Sequence, residues 1–372
     1  MASPSSSPAS ILILGGSGPI GRRLVRKLAS SFYTSASFPE PSDNLPTILI
    51  ACRDHSSHSH EDQNNNNNNN VHHVHFDWDD PTTWENPFAY NPRPLSTSSA
   101  TSYTPPLTPP DQQPRWPPVR AVYLSAPASL RAAEGAMTHF VALARERGAR
   151  RFVLQSAFSS SLPLAEVAGA GAGTGTGRRG SGGGPLGKVQ AYLREMGGRG
   201  EVEWAVVEGG WVQENFSTFP AHVNAIRNES KIYSATGEGR IPWVSADDVA
   251  AVAARALTDP DPPNTEYQVL GPELLSYGDI AQILTQVLGR RVVHVPLHAS
   301  ELERRHRAYG MPEDYARLLG AMETAVKFGA EERTNDAVLA MTGTAPRRFR
   351  DFAAAMRDVW EGRVEPEEEG WF

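Results

Sequence analysis

Apolar positions along the chain follow two periods. Short β-rich runs stand at 10–14, 47–51, 71–76, 121–124, 151–155 and 202–207, each the length of a strand. After the first run, Ile20, Leu24 and Leu28 recur at helical spacing. After the fourth, Ala133, Met137, Phe140, Val141 and Ala144 share one helix face, which Gly148 ends. Strands alternating with helices predict right-handed crossovers and an α/β fold: a doubly wound parallel sheet covered on both faces. Further along, the pattern predicts a helix at 246–257, after Ile241 to Val244, and a helix opened by Ser276 and stopped by Gly289. A strand at 291–296 and a helix at 312–328 follow. The main domain is expected over 11–230 and a smaller C-terminal α/β lobe over 231–362.

Three stretches break this pattern. Residues 55–70 end in an asparagine tract, 93–118 are rich in Pro, Ser and Thr, and 165–184 are mostly Gly and Ala. None has the apolar side chains to offset the entropy of ordering it, so each is expected as a long surface insert. Residues 1–10 are expected as a disordered tail and 363–372 as a solvated acidic one. His55, His58, His60, His72, His73 and His75 cluster in this region, but without a helical His-x-x-x-His pair, and no metal site is expected.

Charge and composition narrow the function. With 35 basic and 42 acidic residues the formal charge is −7, which argues against a nucleic-acid partner. The single cysteine, Cys52, excludes an internal disulfide framework and a cysteine zinc site. No apolar run nears the roughly 20 residues of a membrane span, so no membrane partner is expected. Residues 1–10 lack the basic region and apolar core of a secretion signal. A cytoplasmic protein is expected; its oligomeric state is not legible.

The chemistry begins after the first strand. Gly15, Gly16, Ser17, Gly18, Pro19, Ile20 and Gly21 satisfy Gly-x-Gly-x-x-Gly and open an amphipathic helix. Small residues here permit a tight turn, close approach of a pyrophosphate and packing of helix on strand, while the helix start favours phosphate. This identifies a Rossmann-type dinucleotide-binding unit. At the end of the second strand, Arg53 would pair with a 2′-phosphate, favouring NADP(H); Asp54 follows directly and would instead suit the ribose of NAD. Asp77, after the third strand, would reach the adenine or cap its own turn. Ser125 and Ala126, after the fourth, would line the ribose or nicotinamide.

These motifs, with EGGWVQENF at 208–216, resemble the NmrA-like branch of the atypical short-chain dehydrogenase/reductases. The strings FDWDDPTTW at 76–84, IYSATGEG at 232–239, IPWVSADD at 241–248, YQVLGPELLSY at 267–277 and GAEERTND at 329–336 are more specific. They resemble the fungal agroclavine/festuclavine dehydrogenases of ergot-alkaloid biosynthesis. The resemblance runs from about 11 to 360 and implies an NADPH-dependent reductase acting on a cyclic iminium of a clavine-type, small-molecule alkaloid substrate, with the C-terminal lobe binding substrate. Glu208-Gly-Gly stands where the broader family tends to carry Arg-Pro and a small residue.

The usual superfamily mechanism needs a Tyr acid with a Lys four residues later, and this chain has no Tyr-x-x-x-Lys. Lys188 stands roughly at the Lys position, with Gly184 where the Tyr would be. Tyr192 shares the helix face of Lys188 and is either a displaced proton donor or a packing residue; Ser156 stands where a substrate-orienting Ser is common. Hydride addition to a carbonyl makes an oxyanion, whereas addition to C=N⁺ yields a neutral amine and needs no acid. Trp211, Phe216, Tyr233 and Trp243 are candidate aromatic walls for such a cation, or core residues. Two alternatives remain open: a non-catalytic NmrA-like regulator that senses NADP, and a reductase of another secondary metabolite such as a quinone or phenylpropanoid.

Overall fold

A computed structural model describes residues 9–34, 46–53, 70–89, 117–127, 133–156 and 185–366, with the side chains of 31–34 and 185 excepted. The expectations for residues 1–8 and most of the three inserts, together with Asp54 and Gly184, lie outside the described residues.

Seven strands form one parallel sheet: β1 (Ser10–Leu14), β2 (Ile48–Cys52), β3 (Val71–His75), β4 (Val119–Leu124), β5 (Arg151–Ser156), β6 (Glu203–Glu208) and β8 (Thr265–Gln268). They lie in the order β3-β2-β1-β4-β5-β6-β8. The order reverses between β1 and β4, the place where open α/β sheets bind ligands beyond the strands' carboxyl ends. Alternate residues of the strands feed two cores. Leu12, Leu14, Leu124, Leu154 and Val206 pack with α2 (Ala133–Glu146) and α3 (Pro185–Gly198). Ile11, Ile13, Tyr123 and Val207 pack with α1 (Pro19–Thr34) and α4 (Ala246–Thr258). Burial on both faces makes β1, β2, β5 and β6 read as mostly apolar runs.

Residues 231–362 divide between the main sheet and a second cluster of elements. Residues 246–268 return to the main sheet: α4 packs on α1, and β8 becomes the seventh strand against β6. The remainder holds a two-stranded parallel sheet of β7 (Lys231–Ser234) and β9 (Val293–Pro296). With it come α5 (Tyr277–Leu288), α6 (Ala299–Ala308), α7 (Glu313–Val326) and α8 (Phe349–Ala355). As expected, Ser276 and Asp279 form a capping box on α5 and Gly289 ends it in the left-handed region. The segment 241–244 forms only isolated bridges, Val212 with Val244 and Ile241 with Leu275; Pro242 supplies no N–H to extend a ladder. A third core of Phe216, Trp243, Tyr277, Phe349, Phe352 and Trp360 fills the lobe, and Leu318 on α7 packs against both it and the α2–α3 core.

Candidate functional site

The glycine loop is closed on itself by its backbone. Gly15 takes φ +78°, a region open to glycine at little cost. The Gly18 N–H donates to the Gly15 carbonyl at 3.1 Å, and Arg22 N–H to Gly18 at 3.0 Å begins the helical ladder. A Cβ on Gly21 would stand 2.1 Å from the Gly15 oxygen, and one on Gly16 2.5 Å from Ile50 Cγ2. No acidic residue occupies the first turn of α1, so nothing there offsets its positive end. Ser17 is exposed, whereas Gly18 and Ile20 are buried and Pro19 half-buried. Such a bare, tight loop at a helix start can receive a pyrophosphate.

Neighbouring strands bring the other expected contacts to the same edge. Arg53 is exposed directly after β2, which pairs with β1 through Leu14 and Ala51. Ser125 abuts the loop: a Cβ on Gly15 would fall 2.6 Å from Ser125 Cβ. Ala126 follows, half-buried. Asp77 serves its own turn, Oδ1 accepting the Asp79 N–H at 3.0 Å while its carbonyl accepts Trp84 Nε1–H at 2.9 Å. Ser156 is buried at the end of β5, and its carbonyl accepts the Gly209 N–H at 3.1 Å.

The expected catalytic side chains separate. Lys188 donates to Glu134 on α2 at 2.7 Å, with its side chain 61% exposed, while Tyr192 packs half-buried on the α2–α3 core. The four expected aromatic walls also part. Phe216 and Trp243 are fully buried in the lobe core, edge to face at 5.0 Å. The Tyr233 hydroxyl donates to Glu229 at 2.5 Å, and the Arg305 guanidinium lies 4.0 Å from its ring. Trp211 belongs to the same lobe core, edge to face with Trp243 at 5.7 Å, and also lines a small cleft with Glu208, Gly210, Gln268, Glu331 and Arg333. Burial raises the Glu331 carboxyl above its usual range, opposed by Arg333 and by the Trp211 indole.

Two residues that tie these segments together were not singled out in the sequence, although Glu214 lies within the 208–216 string. Glu214 is buried between β6 and α4, where its carboxylate accepts Ser245 Oγ–H at 2.9 Å and Ala246 N–H at 2.7 Å. Burial raises its pKa; the Arg23 charge and these donors oppose the rise. It therefore ties the loop after β6 to the start of α4. Tyr315 on α7 donates to the Pro127 carbonyl at 3.2 Å, bringing the lobe onto the segment that follows β4. Among the described residues no side-chain group suits a metal ion, and no helix is long and apolar enough to cross a membrane.

No family model matches the chain. It is 34% identical over 355 residues to festuclavine synthase II of Penicillium roqueforti, spanning 94% of this chain and 99% of that protein. It is 39% identical over 246 residues to agroclavine dehydrogenase of Claviceps fusiformis, spanning 65% and 76%. Triphenylmethane reductase of Citrobacter sp., solved in complex with NADP(H), shares the fold at a TM-score of 0.62 and 16% identity, covering 94% of this chain and 99% of that one.

Proposed function

The chain belongs to the festuclavine and agroclavine dehydrogenase family, and from that membership we propose that it is an NADPH-dependent oxidoreductase reducing the cyclic iminium of a clavine-type substrate. An oxidoreductase is what the relatives support directly. The finer reading is carried by one observation: a reductase-type glycine loop stands in a chain with no Tyr-x-x-x-Lys pair.

In this reading the bare loop from Gly15 to Gly21 binds the pyrophosphate, and Arg53 meets the 2′-phosphate with its planar fork. Ser125 and Ala126 flank the ribose and nicotinamide. When bound, NADPH supplies hydride: its electron pair joins the iminium carbon, the C=N π pair returns to nitrogen, and oxidised cofactor and neutral amine remain. No proton enters this step, so the chain needs no acid at the reacting carbon. Its own work is positioning and exclusion of water, with Glu214 fixing the loop after β6 and Tyr315 holding α7 over the end of β4.

NADPH oxidation by purified protein, with a panel of cyclic iminium ions, aldehydes and quinones, tests the reading. Turnover should be fastest with the iminium ions. Preference for quinones or aldehydes would assign another metabolite, and cofactor binding without turnover on any of them would make the chain a dinucleotide sensor.

A further inference from the structure

We propose that the buried histidines His222 and His306 form an acid-sensitive latch, whose protonation releases α6 from the segment 219–224 while the main sheet stays folded. His222 lies in the short helix Pro220–Asn224, and His306 in the last turn of α6. They are 7% and 1% exposed, with ring centres 6.3 Å apart. Other rings enclose them: Phe219 stands 5.4 Å from His222 and 5.0 Å from His306, and Phe216 stands 5.0 Å from His222. Beside the pair, the Arg305 guanidinium reaches the Ala221 carbonyl at 3.5 Å. Neither ring nitrogen of His306 has a hydrogen-bond partner among the described residues. A neutral imidazole tolerates that poorly; an imidazolium would bury two N–H donors and a full charge.

The charges around the pair do not favour a proton. Arg305 is positive and opposes one on either ring. Glu229 answers Arg305 at 3.3 Å and accepts the Tyr233 hydroxyl. On α7, Glu313 lies 3.7 Å from Arg307 and 2.7 Å from Arg317. From α5, Tyr277 sets its ring near His222 and near His294 of β9, with its hydroxyl toward Glu323. Burial keeps Glu323 protonated below about pH 8, so it is neutral in acid and offers no counter-charge. Burial, helped by Arg305, lowers the His306 pKa to about 4; burial, His306 and Arg305 lower that of His222 to about 3. An unfolded histidine titrates near 6.5. The pair's contribution to stability is therefore full above pH 6.5 and is lost as pH falls toward 4, because the opened form takes up the protons.

Opening need not be global. α6 is ten residues long and buries only Leu302 and His306, so its release exposes little apolar surface. Strands β1, β2, β5 and β6 are buried along nearly their whole length.

Hydrogen exchange read by mass spectrometry on the full chain tests the latch, from pH 6.5 to 5 and corrected for the intrinsic rate at each pH. The opening constant for the α6 amides should rise close to tenfold per pH unit for each histidine that opening exposes. His306→Leu and His222→Leu should each lower that rise by about tenfold per unit. The contrast with the unmodified chain isolates the pair: Glu323 would release a proton if opening reached α7, but equally in all three proteins. The main-sheet strands should remain more protected than α6 at every pH. The same slope in all three proteins, or strands that open as readily as α6, would overturn the proposal. A measurement on the unmodified chain covers a variant that does not fold. With ¹³C-labelled imidazoles, at least two histidines should stay neutral below pH 5. All 11 histidines titrating near 6.5 would also overturn it.

Discussion

The ammonium of Lys188 donates to the Glu134 carboxylate at 2.7 Å, bridging α3 to α2 across a half-exposed surface. Lys188 is thus engaged by a neighbouring helix, and Tyr192, one turn on, packs against the core. An exposed pair of this kind contributes about 0–1 kcal/mol. Lys188→Ala should leave the melting temperature within a few degrees. Tyr192→Phe should retain most iminium reduction, because no proton is needed there. A general acid contributes about 10²–10⁴-fold, so steady-state kinetics separate the outcomes; a thousandfold fall in kcat for Tyr192→Phe would make it a displaced catalytic tyrosine.

The glycine loop has no room for a methyl group at its end. Gly21→Ala would put a Cβ 2.1 Å from the Gly15 oxygen, and backbone cannot yield as a flexible side chain would. NADPH affinity by calorimetric titration should fall at least tenfold, with a lower melting temperature. Unchanged affinity would mean that the loop does not hold the pyrophosphate.

Arg53 is exposed after β2, and in the proposed reading it sets the choice of cofactor. Arg53→Ala should cost NADPH about 1.5–3 kcal/mol, as expected for a charged hydrogen bond, and NADH much less. Equal losses for both would show that Arg53 does not read the 2′-phosphate.

A pH dependence follows from Glu323 on α7. It is buried and accepts from the Ala235 N–H at 2.6 Å and more distantly from the Tyr277 hydroxyl. Burial pushes its pKa up to about 8 from 4.5. The folded chain therefore keeps a proton that the unfolded chain releases above 4.5. Its favourable contribution is full below pH 4.5 and is lost as pH rises toward 8, by about 1.4 kcal/mol per pH unit. Glu323→Gln keeps an acceptor for Ala235 without the titration. Denaturant melts of the two proteins should diverge between pH 5 and 8, with the wild type falling behind; parallel profiles would contradict the assignment.

β1, β2, β5 and β6 are legible in the sequence because both their faces are buried under mostly apolar residues. β8 is not: Thr265–Gln268 is a sheet edge of half-exposed residues with one aromatic, Tyr267, and only its pairing with β6 marks it as a strand. The glycine loop and Arg53 are legible because their chemistry is local. Side-chain direction is not local. Trp211, Phe216, Tyr233 and Trp243 read alike as aromatics, yet Trp211, Phe216 and Trp243 belong to the lobe core while Tyr233 pairs with Glu229 and Arg305. Glu214 and Tyr315 act on segments 31 to 188 residues away, and no spacing rule reaches that far.

The central claim is direct hydride transfer from NADPH to an iminium carbon, and the most direct measurement is isotope transfer. Purified protein would be given NADPH carrying deuterium at the transferring C4 position and a preformed cyclic iminium, in ordinary water. Mass spectrometry of the amine should find one deuterium on the former iminium carbon, in step with NADPH consumed. Amine without deuterium, or bound NADPH that is never consumed, would contradict the account.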